Sequence, residues 1–150
     1  MAKKVDQTRS SLDLRVWVRL LSCAKIIEKR LRRNFEDQFD TTLPRFDVLA
    51  TLSRQPEGMR MGELSRALLV SNGNVTSIVR QLQEQGHIST RVSPDDARSA
   101  IVSLTPEGKK QFAKLAAAHH DWVREALGGF PDDEQRLLLD LLTKLKSSIS

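Results

Sequence analysis

Residues 61–86, MGELSRALLVSNGNVTSIVRQLQEQG, set two amphipathic segments end to end with only a few residues between them. Leu64, Leu68 and Leu69 are the apolar positions of the first. In the second, Val75, Ile78, Val79 and Leu82 recur at three- and four-residue steps, the spacing of one helix face. So short a connection implies a helix-turn-helix. Directly afterwards the period changes. Ile88, Thr90 and Val92 alternate with polar residues, SPDDARS turns the chain, and AIVSLT supplies a second β-rich run. Two short strands around a polar turn read as a β-hairpin, and a helix-turn-helix followed by a hairpin is a winged helix arrangement.

The rest of the chain is helical in pattern, so the fold class is mainly α with a small β-hairpin wing. Leu14, Trp17, Leu21, Ala24, Ile27 and Leu31 give one face of a long first helix, which Phe35 and Phe39 extend toward a break at DTTLP. Thr42 is placed to cap a second helix with Pro44 in its first turn, and Pro56 and Gly58 mark the turn that ends it. Thr105 and Pro106 begin another long helix in the same way; GGFPDD breaks it before a last helix bearing Leu138, Leu141, Leu142, Leu145 and Ile149. With no repeat or linker, residues 1–150 read as a single domain: a winged helix lobe at about 44–104, with dimerisation helices at about 11–40 and 105–149. The terminal helices carry more apolar surface than a small core needs, which predicts an obligate homodimer.

The opening turns of the second helix of the helix-turn-helix are unusual. Ser71 is a good N-cap and Gly86 is placed as a C-cap. Asn72, Asn74, Thr76, Ser77 and Arg80 lie away from the Val75, Ile78, Val79 and Leu82 stripe. On a helix that enters the major groove, Asn can pair with adenine, Arg with guanine, and Ser or Thr with several partners. Gly73 would allow close backbone approach. Taken alone the stretch reads more readily as a polar cap on a solvent-facing helix. The hairpin decides for nucleic acid: Asp96 and Arg98 sit two apart near its tip, so the carboxylate is expected to hold the guanidinium in position for a narrow, electronegative minor groove.

Charge agrees without deciding. Lys and Arg number 24 against 19 Asp and Glu, a formal net charge of +5, which suits a polyanionic partner. Cys23 is the only cysteine, compatible with a reducing compartment. The N-terminal MAKKVDQTRSSLDLR lacks the apolar core of a signal peptide, and no apolar run reaches the about 18 residues that span a bilayer. A soluble, cytoplasmic chain without membrane association is therefore expected. Catalysis is not: phosphate loops, nucleophile elbows and H-E-x-x-H are missing, and the neighbours His119, His120 and Asp121 point in different directions on a helix. No cofactor or metal is implied.

LPRFDVLATL, the MGELSRALLVSNGNVTSIVRQLQEQGHI block and the wing DDARSAIVSLTPEG together resemble the MarR family of transcriptional regulators over nearly the whole chain. The resemblance implies a triangular homodimer that binds a pseudo-palindromic double-stranded DNA operator, commonly as a repressor released by a small effector. Carried onto this chain, the wing arginine is Arg98 with Asp96 as its supporting acid, and the recognition helix runs from about Asn72 to Gln85. Arg45, Arg66 and Arg91 become candidates for phosphate contacts. The effector pocket falls among the first, second and fifth helices, where Trp17, Leu21, Ala24, Phe46, His119 and Trp122 could line an aromatic-shaped cavity and Arg19, Arg45 or His119 meet an acid. An apolar stripe with one histidine is also how an ordinary packed core reads. The LLSCAKIIEKRLRR and TTLPRFDVLA segments are similar to those of members linked to aromatic acid catabolism, which implies an aromatic acid or aryl-CoA thioester. One branch of the family senses peroxide through a cysteine on the first helix, supported by tyrosine hydroxyls. This chain has no tyrosine, so Cys23 is expected to be buried and inert. A helical interaction module without DNA binding would leave the polar helix and the arginine-tipped hairpin unexplained.

Overall fold

The computed structural model describes residues 7–69 and 74–150. Its elements run α1 (Gln7–Phe39), α2 (Leu43–Ser53), β1 (Met59–Arg60), α3 (Met61–Ala67), α4 (Val75–Glu84), β2 (Ile88–Val92), β3 (Ala100–Leu104), α5 (Pro106–Leu127) and α6 (Asp132–Ile149). Local chemistry sets most of these boundaries. Asp40 takes the left-handed conformation at φ 50°, a region that short polar side chains tolerate, and so ends α1. The Thr42 hydroxyl then accepts from the Arg45 N–H at 3.3 Å, with a proline in the first turn of α2. Thr105 does the same for α5, accepting from the Gly108 N–H at 3.0 Å.

The core is a set of buried side chains from almost every element. Leu31 and Phe35 come from α1, Phe46, Val48, Leu49 and Leu52 from α2, and Leu64 from α3. Val79 and Leu82 of α4, Ile88 and Val102 of the sheet, and Leu115 and Trp122 of α5 complete it. Periodicity identified Leu31, Phe35, Leu64, Val79, Leu82 and Ile88 among them, because each element buries one face.

Four expectations need correction. The wing is a three-stranded antiparallel sheet rather than a bare hairpin, in the order β1-β3-β2. Met59 pairs with Val102 and Arg60 with Ile101, so residues that read as a turn form its edge strand. Two residues are too few to show an alternating pattern. Gly58 permits the approach: its φ is +84°, and a Cβ there would lie 2.7 Å from the Val102 carbonyl oxygen. Next, α4 begins at Val75 and is capped by Asn74, whose Oδ1 accepts from the Ser77 N–H at 3.4 Å. The expected cap Ser71, with Asn72 and Gly73, lies outside the described residues. Three residues further along the sequence than expected, an Asx side chain closes the helix start.

The third and fourth concern α1 and the wing tip. Cys23, expected to be buried, is exposed. The stripe Cys23, Ile27, Leu31, Phe35 continues along one face, but only its C-terminal part meets α2 and α5. Among the described residues nothing covers the N-terminal half of α1, where Leu14, Trp17 and Leu21 are exposed. Likewise α6 buries none of its residues. At the wing tip, Asp96 does not pair with the guanidinium of Arg98; its carboxylate accepts from the Arg98 backbone N–H at 2.9 Å. An acid two residues ahead of an amide closes an Asx turn more readily than it reaches a long, solvated side chain.

Candidate nucleic-acid interface

The helix-turn-helix is held from beneath by α2. Asp47 is 7% exposed, and its Oδ2 accepts from the Leu69 N–H at 2.9 Å, fixing the end of α3 where the turn begins. Sequence reading passed over this residue. Its signal was an acidic side chain inside the apolar run FDVLATL, because buried carboxylates persist when they satisfy a backbone donor. On α4, Val79 and Leu82 are buried and Val75 and Ile78 pack partly against the core, which turns Asn74, Thr76, Arg80 and Gln81 outward. Ser77 is half-buried. The polar half of the helix is thus displayed as expected, with one refinement: the oxygen of Asn74 already serves as a cap.

Two arginines proposed for phosphate contact have protein partners. Arg45, at the start of α2, donates from Nε and Nη2 to Gln81 Oε1 at 3.1 and 2.7 Å, tying α2 to the outer face of α4. Arg91 on β2 donates from Nη2 to the Glu57 carbonyl oxygen at 3.2 Å and bridges the wing to the turn before β1. Arg66 is exposed on α3.

The wing tip is ordered by its own backbone. Ser93 N–H donates to the Ser99 carbonyl and Ser99 N–H to that of Asp96, each at 3.0 Å. With Asp96 holding its amide, Arg98 is carried on a closed turn and its side chain is exposed. A pre-set backbone with a free guanidinium suits insertion into a narrow, negative groove.

The proposed effector residues divide into two groups. Phe46, His119 and Trp122 come together in a packed aromatic cluster. The His119 ring stacks on Phe46 with centroids 4.6 Å apart, and Phe35 lies 4.9 Å from Phe46 and 4.8 Å from Trp122. Burial, aided by neighbouring His120, lowers the His119 pKa and favours its neutral ring. Trp17, Arg19, Leu21 and Ala24 are instead exposed on the N-terminal half of α1. Beside the cluster, between α1 and α5, a groove of about 480 Å³ is lined by Lys29, Arg30, Arg33 and Trp122, together with Glu125. The three cations share one face of α1 at helical spacing.

The described helices include none long and apolar enough to cross a membrane. The MarR family model matches residues 39–99, which contain α2 through the wing tip. BadR of Rhodopseudomonas palustris, named a transcriptional activatory protein, is 31% identical over 97% of this chain and 87% of its own length. Among solved structures, a MarR family transcriptional regulator from Silicibacter pomeroyi is 31% identical, with a TM-score of 0.82 over 97% of this chain and all of that one. Sco3205 of Streptomyces coelicolor, solved in complex with DNA, shares the fold at a TM-score of 0.77 and 22% identity, covering 91% of this chain and 86% of its own. These relatives are regulators rather than enzymes, and the two solved structures share the fold over nearly the whole of this chain. This chain belongs to the MarR family of DNA-binding transcriptional regulators.

Proposed function

We propose that the protein acts as a homodimer on a pseudo-palindromic operator, represses the genes it controls, and is released by a small acidic effector. The observation that carries this reading is the lobe itself. It displays Thr76 and Arg80 on α4 and Arg98 on the wing, while the helices at both ends of the chain leave apolar faces uncovered. An isologous pairing of those faces would set two reading heads about one helical turn of DNA apart. An aromatic acid or an aryl-CoA thioester fits the groove between α1 and α5, where cations flank an indole. The protein would act in the cytoplasm. An activating role is the second reading, favoured by the name that BadR carries.

Two measurements test the proposal. Arg98→Ala is expected to weaken binding to a duplex selected from a randomised pool by about 1–3 kcal/mol; affinity equal to the parent would remove the wing from the interface. Leu138→Asp with Leu142→Asp places two charges on a face that α6 leaves open, and sedimentation is expected to show a monomer. A dimer that survives both changes would mean that α6 is not part of the interface.

A further inference from the structure

We infer that Gln81 is a base-reading residue whose chemistry is set by Arg45, and that it selects a base edge presenting acceptors, guanine or thymine, and not adenine. The inference rests on α4 being the helix that reads DNA. Arg45 comes from the first turn of α2 and Gln81 from the second turn of α4, 36 residues away. Its guanidinium has donors only, so the amide oxygen of Gln81 must face it and the amide nitrogen must face elsewhere. That fixes the orientation of a side chain that would otherwise flip freely.

The contact does more than orient. Both Nε, at 3.1 Å, and Nη2, at 2.7 Å, donate to the same Oε1. A carbonyl oxygen has two lone pairs, and this fork engages both. A glutamine reads adenine by accepting from its N6 amino group while donating to N7. With its oxygen engaged, Gln81 keeps only its two N–H donors. Guanine O6 and N7 and thymine O4 suit a group with donors alone, whereas adenine sets its N7 acceptor beside an N6 donor that such a group cannot satisfy.

Placement supports a reading role. Gln81 is exposed and lies one turn beyond Ser77 and two beyond Asn74, so the three follow one edge of α4. All three line a cleft of about 430 Å³ with Arg32, Glu36 and Arg45. Glu36 supplies a carboxylate in that cleft, yet among the described residues Arg45 forms no ion pair with it and gives its fork to the neutral amide. Arg45 is thus a positioning residue: it acts on base choice through Gln81 while keeping its charge beside the DNA-facing helix.

Selection from a fully randomised duplex pool tests this with the full-length chain and its Gln81→Ala, Gln81→Glu and Arg45→Lys variants. The parent is expected to enrich guanine or thymine at one position of each half-site, and Gln81→Ala to flatten that position alone. Gln81→Glu exchanges the donors for an acceptor and should move the position to cytosine, whose N4 donates, by about fivefold or more. Arg45→Lys retains the charge, so the salt dependence of affinity should hold. It loses the fork, however, and adenine should gain at the same position. Thermal melting of each variant is expected to match the parent, because the pair is at the surface. Adenine at that position in the parent, lost in Gln81→Ala, would overturn the inference, as would one consensus shared by the parent and all three variants. A parent that enriches no duplex at all would overturn the DNA-reading role of α4 and this inference with it.

Discussion

Phe35→Ala is expected to lower stability by about 3–5 kcal/mol in urea denaturation, the largest loss of any single truncation in this chain. Phe35 is completely buried near the C-terminal end of α1. Its ring meets Trp122 edge-on at 4.8 Å, Phe46 at 4.9 Å and His119 at 6.1 Å. One side chain of α1 therefore meets both α2 and α5, within a cluster that Phe46 of α2 and His119 of α5 close from the other two helices. Each aromatic pair contributes about 0.5–1.5 kcal/mol beyond the area it buries, and the cavity left by truncation adds to the loss. A domain of this size has about 5–15 kcal/mol in total, so the variant should lie near the edge of folding. Phe35→Leu should fall between the two, because it keeps most of the burial and loses the ring geometry. A loss below about 1 kcal/mol in Phe35→Ala would show that the cluster is not the joint between α1 and the lobe.

Gly108→Ala should also destabilise strongly, and here the sign carries the test. Exchanging glycine for alanine inside a helix ordinarily stabilises by about 1 kcal/mol. At Gly108 the added Cβ would fall on the carbonyl oxygen of His87, with the carbonyl carbon at 2.8 Å. The obstacle is backbone, and that backbone is held. Thr105 donates its N–H to the same His87 carbonyl at 3.1 Å and its hydroxyl to the Gly86 carbonyl at 2.5 Å. The first turn of α5 is thereby docked on the junction between α4 and β2, and a methyl group would force the two apart. The expected cost is about 3 kcal/mol, a fall of roughly 6–12 °C in melting temperature. Gly129 has nothing within 4 Å of its own Cβ position, so Gly129→Ala should be close to neutral. A stabilised Gly108→Ala variant would mean that α5 does not dock in this way.

That docking links the wing and α4 to the long helix α5, which bears on the proposed regulation. Any ligand between α1 and α5 acts on the helix whose first turn holds the end of α4. Such coupling needs no contact between ligand and DNA, only two arrangements of α5 with different affinities for each.

Much of the molecule was legible along the chain. The stripe of α4, the Thr42 and Thr105 caps, and the change of period at Ile88 are all local signals, because they depend on residues within a turn or two of one another. They were enough to give the order of the helices and the hairpin, the winged helix arrangement and the family. The display of Thr76 and Arg80 also followed from helical spacing alone.

What the sequence could not supply were pairings between distant residues. Met59 and Arg60 become a strand only because β3 passes beside them, and two residues have no period to read. Asp47, passed over in the apolar run FDVLATL, gains its role only from the Leu69 amide 22 residues on. Arg45 read as a phosphate contact, and only the packing of α2 against α4 made it the partner of Gln81. The apolar stripe of α1 was correctly located, but whether it is covered depends on how far α2 and α5 extend along it, and they stop short of Cys23. By itself, then, the sequence determined which elements form and which faces they present, since backbone hydrogen bonding and side-chain spacing are local. Tertiary structure alone decided which polar groups engage one another across those faces, since that depends on where two separately folded segments are brought into contact.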